Sequence, residues 1–381
     1  MKSLKKIVAL VAVAALSISG LVGCQKQKPI DNKEIVMTVG DKKVELGMAN
    51  FYVRYQQSMM EQQMEMYQSY GYVMEWDMEV EEGKTYEESM KEDTLKSLQQ
   101  LYVLDAHAAD YKVALTEDET AKIEEVAKAF AKANKDEVKE QVSAEYAAEY
   151  LRLVTIADKM YEAVKASHTP EVKEEEAAQK MMYYVKYDTV KQDSSTGQTS
   201  ELSDDEVKKL KKDAKALLDG AKANGNLESY AKEQKLTATK AAFSVDRSEL
   251  DEKLVKAADK LELNGFTDVI EGESAIYVAQ VTSLFDKDAT EAEKKEIIEE
   301  RKDEFYKETV EKWVEDTKMK VNDDVWDKIS LEGLKISAVE PEEDDKSEDS
   351  TTKDSADDKT DDKAEGTTED TSKDSSEKTE E

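Results

Sequence analysis

Thiols and imidazoles are almost missing from this sequence. Its 381 residues include one cysteine, Cys24, and two histidines, His107 and His168. A single thiol allows neither an intramolecular disulfide nor a thiolate metal site. His107 lies in a helical stretch with no second histidine nearby, so it reads as a packed or half-exposed helix residue rather than a ligand. Positive charge is also short: 55 Lys and Arg stand against 88 Asp and Glu, a formal net charge of −33. A polyanion of this size repels nucleic-acid phosphates, which argues against DNA or RNA as a partner. No nucleophile triad, phosphate-binding loop or metal cluster can be read along the chain, and no cofactor is expected.

The two ends differ from the body. MKSLKK is a basic leader region, IVALVAVAALSISG an apolar one, and the run closes on Leu21-Val22-Gly23-Cys24. A stretch this short with these flanks reads as a signal peptide over residues 1–24 before it reads as a membrane span. Its ending resembles the bacterial lipobox, which implies lipidation of Cys24 and an extracytoplasmic body on the outer face of a Gram-positive-type cell membrane. Residues 339–381 have no aromatic residue and no Leu, Ile or Met. They cannot bury enough apolar surface to offset the entropy of ordering, so a disordered acidic tail is expected.

Residues 34–46 read as two short strands around Gly40-Asp41, and a helix follows from Gly47-Met48. Residues 59–78 are dense in Met, Tyr and Gln. Core residues at helical spacing are the preferred reading, and a re-packable binding surface the alternative. Leu95, Leu98 and Tyr102 mark a second helix. Thr116 to Glu119 forms a capping box before a third, and a fourth runs from about Lys135 to Lys165. Residues 167–172 are a linker. Near the C-terminus, Thr290 to Glu293 caps a long helix through Phe305 and Trp313. One amphipathic helix cannot bury its stripe alone, so it should pack back on the first half.

Between them, KMMYYVKYDTV opens a unit in the order β-α-α-β-α-β. Ser203 to Glu206 caps its first helix, Gly225-Asn226 turns into the second, and Phe243 lies in an extended piece. A third helix spans about Leu250–Leu261, and SAIYVAQV closes the unit.

Ala214, Leu217, Gly225, Leu227, Tyr230 and Ala231, with Leu261-Glu262-Leu263-Asn264-Gly265, make this unit resemble a parvulin-type prolyl isomerase domain. The passage LQQLYVLDAHAADYKVALTEDE and the lipobox resemble the PrsA/SurA-like extracytoplasmic foldases. The resemblance implies an α+β fold: a mainly helical chaperone module of the SurA/trigger-factor kind, with a small parvulin-like domain inserted. The boundaries are 25–172 for the N-terminal helical part, 173–284 for the inserted domain and 285–338 for the returning helix.

The family carries a histidine on the first strand and another on the last. Here those positions fall on Met182 or Tyr183 and on Tyr277, while Leu254 stands for a pocket phenylalanine. Met182, Tyr183, Phe243, Leu254 and Tyr277 could line a groove for extended peptide, or simply fill a core. The resemblance thus implies a foldase for unfolded or newly exported polypeptides, held at the membrane by its lipid, with weak or no isomerisation. A homodimer is a further candidate. An active prolyl isomerase with an altered pocket is the alternative. A transporter's ligand-binding lipoprotein is a third reading, but it predicts repeated βα units that are not visible.

Overall fold

The computed structural model describes residues 15–18, 30–73, 75–133, 143–192, 198–331 and 336–339. Cys24 and the acidic tail from residue 340 onward lie outside the described residues, as does most of the expected signal peptide. All described residues belong to one compact unit, 1–341.

The first described strand, β1 (Ala15–Ile18), falls within that leader. A hairpin follows, β2 (Ile35–Val39) and β3 (Lys42–Glu45), turning at Gly40, whose φ of +55° suits glycine. Helix α1 (Leu46–Ser69) is next, then a small hairpin of β4 (Glu79–Glu81) and β5 (Lys84–Thr85). Thr85 and Glu88 form a capping box that starts α2 (Tyr86–His107) nine residues before Leu95. The box at Thr116 forms as expected. Thr116 N donates to Glu119 Oε2 (2.9 Å) and Glu119 N to Thr116 Oγ1 (3.2 Å), opening α3 (Glu117–Ala133). Helix α4 spans Ala144–Ser167, and a single turn, α5 (Glu174–Ala177), precedes the central unit.

The central unit opens with β6 (Lys180–Asp188) and a hairpin of β7 (Val190–Gln192) and β8 (Thr199–Glu201). Helices α6 (Asp204–Asn224) and α7 (Leu227–Glu233), strand β9 (Thr239–Phe243) and helix α8 (Glu252–Asp259) follow. The unit ends with β10 (Ile270–Glu271) and β11 (Ala275–Ser283). Its sheet is antiparallel in the order β10-β11-β6-β9. Alternation along β6 sends Val185 to the α6–α7 side, beside Leu217, Leu218 and Leu227, and Met182 to the α8 side, beside Leu254. With both faces covered, β11 is buried along most of its length. Gln280 ties the layers together: Leu227 N donates to its Oε1 (2.8 Å), and its Nε2 donates to the Gly225 carbonyl (3.1 Å).

The chain then enters α9 (Lys287–Asp316), followed by β12 (Met319–Val321), α10 (Asp323–Trp326) and β13 (Ile336–Val339). The start of α9 corrects the expected cap at Thr290. Asp286 is the N-cap, accepting from Ala289 N at 2.9 Å, and Thr290 is buried one turn inside the helix. Its Oγ1 instead accepts from Gln179 N at 3.0 Å, just ahead of β6. Val310 joins Leu104, Ile156, Met160 and Val164 in one core. His107 stacks on Trp313 and His168 on Phe305, with ring centroids 4.2 and 4.3 Å apart, so both histidines hold α9 by their faces. Strand β12 pairs with β2, Val321 opposite Met37, and β13 pairs with β1. Trp326, Ile329 and Leu331 enter the core of Phe51, Leu98, Phe130 and Leu153. The fold is therefore α+β, mainly helical, with small antiparallel sheets. No helix among the described residues is long and apolar enough to cross a membrane.

Candidate binding surface

Four of the five residues singled out in the central unit come together. Met182, Phe243 and Leu254 are fully buried and Tyr277 is 8% exposed, in one cluster with Val255, Ala258 and Val281. Tyr183 does not join them. It follows Met182 on the strand, so it packs on the opposite face with Val185 and the α6–α7 side chains. Tyr277 meets Tyr184 edge-on, with ring centroids 6.1 Å apart. Burial, and secondarily the Asp251 carboxylate, holds the Tyr277 phenol above its ordinary pKa, so it stays a proton donor. That carboxylate is already engaged: Oδ1 accepts from the amides of Lys253 (3.0 Å) and Leu254 (3.3 Å), and Oδ2 from that of Glu273 (2.9 Å). Chemically this face offers apolar contact and a phenol, with no imidazole to organise a polar network.

The Met/Tyr-rich stretch divides in two. Up to Glu61, α1 is buried on most sides, and core packing is what the structure shows there. From residue 62 onward the core reading fails, because the helix runs out beyond the body. Met66 (52%), Tyr70 (74%), Tyr72 (66%), Val73 (64%) and Met78 (50%) are exposed, as are Met59, Tyr67 and Val80. At 1.5 Å per residue, a 24-residue helix is about 36 Å long, and roughly its last two turns project. Gln, Glu and Met are good helix formers, which lets this part stay helical without burial. The chain reverses at Gly71, whose φ of +86° a side chain would strain.

The root of the projection is polar. Arg54, fully buried, donates through Nη1 to Gln57 Oε1 (2.8 Å) and to the Ser330 carbonyl (3.0 Å). Gln57 Nε2 donates to Glu61 Oε1 (2.7 Å), which also accepts from Trp76 Nε1 (3.3 Å). Desolvation pushes the Arg54 guanidinium down to about 10, against the pull of Glu87 and Glu61. Trp76 stacks on Tyr86 at 5.3 Å, fastening the returning chain to the start of α2. The spacing Arg-x-x-Gln-x-x-x-Glu is a visible helix-face signal, and it was not singled out in the sequence.

Clefts also open elsewhere on the helical part. One of about 360 Å³ lies among Tyr52, Leu101, Leu104, Val154, Ala157 and Tyr306. A neighbour of about 420 Å³ shares Gln100 and Tyr306 with it and continues past Val310 and Val314. Together they make a trough along α2, α4 and α9, lined by apolar side chains and by Lys96, Lys307, Glu311 and Glu315. A third, about 480 Å³, runs from Met48 and Tyr102 to Ile123 and is edged by Arg152. Arg152 is held by Glu149 and Asp105 at 2.6–3.0 Å, and Glu149 first, with Asp105, raises its pKa further. It is thus committed to those carboxylates. Among the described residues, no group of three or more His, Cys, Asp or Glu could hold a metal ion.

No protein-family model and no curated protein matches the chain. Solved structures similar to it include foldases and a SurA-like chaperone. The PrsA foldase of Lactococcus lactis aligns over 77% of this chain and 96% of its own, at 12% identity and a TM-score of 0.36. The PrsA foldase of Streptococcus pneumoniae covers 66% of this chain and 97% of its own, at 18% identity and 0.28. A SurA-like chaperone of Campylobacter jejuni covers 76% and 98%, at 10% identity and 0.27. Likenesses of this extent assign no activity to the chain.

Proposed function

We propose that this chain is a chaperone of the foldase kind that holds unfolded or newly exported polypeptides and isomerises prolyl bonds weakly or not at all. The observation that carries this reading is the exposed Met/Tyr end of α1. Soluble proteins rarely leave such a contiguous apolar surface without a partner. Methionine side chains re-pack around varied apolar shapes, which suits many client sequences at modest affinity.

Isomerisation is a different demand. The barrier of an X–Pro bond is ~18–20 kcal/mol, and lowering it takes a desolvated pocket with its groups held in place. Met182, Phe243, Leu254 and Tyr277 are the residues that would line such a pocket. Their close mutual burial favours a filled core. The unit at 173–284 then serves as a structural insertion in the helical module. A lipid on Cys24 would keep the protein at the extracytoplasmic face of the membrane, and two or more acyl chains on one residue give stable anchoring. A homodimer remains a candidate assembly.

The deciding experiment uses the chain from residue 25 with unfolded reporter proteins. Aggregation should be suppressed near stoichiometric ratio, and less so by the variant Tyr70→Ser/Tyr72→Ser/Val73→Ser. Proline-limited refolding should be accelerated less than about twofold. Strong isomerase activity that disappears on Tyr277→Ala, without suppression of aggregation, would overturn the proposal. Fatty-acid labelling of the full chain should be lost in Cys24→Ala.

A further inference from the structure

The tip of α1 has a second property, its sign of charge. From Tyr55 to Gly83 the sequence contains seven acidic residues (Glu61, Glu65, Glu75, Asp77, Glu79, Glu81 and Glu82) and no Lys, Arg or His. Elsewhere the body intersperses its charges. Lys122 pairs with Glu125, Lys128 with Glu124 and Lys215 with Asp219 along single helices. The two cations bracketing the stretch act only at its ends, Arg54 on Glu61 and Lys84 on Glu81. Arg54 is buried at the root of the helix, and Lys84 pairs with Glu92 at 2.5 Å. The exposed rings of Tyr67, Tyr70 and Tyr72 and the thioethers of Met66 and Met78 therefore belong to a stretch whose own charges are all negative.

We infer that this tip selects cationic apolar segments of unfolded chains, those in which Lys or Arg alternates with aromatic or aliphatic residues. The inference rests on the chaperone reading above and adds the substrate class. Three contacts would act together on such a segment. Its apolar side chains cover the Met and Tyr surface. Its guanidinium or ammonium groups lie over the tyrosine faces, where the ring quadrupole attracts a cation. Its charges also meet carboxylates within a Debye length, about 10 Å at 0.1 M salt. The same charge disfavours two other occupants. A second copy of this polyanion and an anionic lipid surface are both repelled by it.

The test uses the chain from residue 25 and three labelled peptides of equal length and apolar content, carrying Arg/Lys, Gln or Glu at the alternate positions. Fluorescence anisotropy should show the cationic peptide binding at least tenfold more tightly than the other two at 50 mM salt. That margin should shrink to about threefold or less at 0.5 M. Asp77→Lys/Glu81→Lys/Glu82→Lys should cut cationic binding at least fivefold and leave the Gln peptide unaffected or improved. An equal change of charge on the central unit, Asp205→Lys/Asp219→Lys/Glu233→Lys, should leave the preference in place. If both triple variants weaken it equally, the preference belongs to overall charge and the assignment falls. Equal binding of the cationic and Gln peptides, with aggregation still suppressed, would overturn the charge selection alone. Absence of both binding and suppression would overturn the chaperone reading itself. Tip-dependent binding to vesicles containing an anionic lipid, with none to the peptides, would replace the assignment with a membrane contact.

Discussion

Replacing Gly47 by alanine tests how α1, the helix that carries the tip, is seated. A Cβ built on Gly47 would lie 2.2 Å from Tyr146 Cε2, 2.3 Å from Cζ and 2.5 Å from the phenol oxygen. The ring has nowhere cheap to go. It is buried, its hydroxyl donates to Glu45 Oε2 at 2.9 Å with the Asn32 carbonyl 3.1 Å away, and Lys33 sits over its face. Overpacking of this kind costs ~1–3 kcal/mol. A hydrogen bond to a charged group contributes ~1.5–3 kcal/mol, part of which would go with it. The helix-propensity gain of alanine returns at most ~1 kcal/mol. The expected loss is therefore about 2–4 kcal/mol, or on the order of 3–6 °C in Tm for a protein of this size. Gly220 supplies the control. Its Cβ would lie 2.1 Å from Tyr230 Cζ, an equal clash on paper. Tyr230 is only half-buried, and its ring can swing out into water. Gly220→Ala should shift stability by less than about 1 kcal/mol, since surface changes are usually small. Thermal melts followed by circular dichroism read both. Equal shifts for the two variants would refute the reasoning that ring mobility, not the bare clash, sets the cost.

Thr290→Val should destabilise by about 1–3 kcal/mol in urea unfolding, because the Gln179 amide loses its acceptor inside the protein, while Thr290→Ser should keep most of the stability. Lys191 first, then Ser203, holds the Glu206 carboxyl down to about 2 at the start of α6. The folded value lies below the ordinary one, so this cap is fully stabilising above pH ~4.5 and is lost as pH falls toward 2. A carboxyl titration by NMR should show the low midpoint, and Lys191→Ala should raise it. Removing residues 340–381 should leave Tm unchanged within about a degree, since that stretch has no apolar side chain able to join a core.

What the sequence made legible was whatever depends on neighbours along the chain. The boxes at Thr116 and Ser203 form because Ser or Thr and the Glu three residues on need nothing else to meet. Thr290 shows the limit. It has the same spacing, yet a distant amide takes its hydroxyl and Asp286 takes the cap. The phase of β6 was hidden for a related reason. Helices cover both faces of its sheet, so Met182, Tyr183 and Tyr184 read as one apolar run, and the side of each was not visible from composition. The tip was ambiguous too, since a Met/Tyr helix reads the same whether it is covered or bare. Whether Tyr70 or Met66 meets a partner depends on where the body ends, and that is a tertiary fact.

The pairing of β12 with β2, Val321 beside Met37, bears on the order in which the molecule assembles. A chain delivered from its N-terminus leaves β2 with one neighbour until Val321 arrives, whereas the central sheet is complete at Ser283. Contacts this far apart in sequence close slowly, since the intervening chain must be ordered first. The insertion therefore matures before the module that hosts it. Arg54 finds the Ser330 carbonyl to donate to only at the end. The surface proposed to hold other unfolded chains is thus finished last, after nearly all of its own chain has stopped being one.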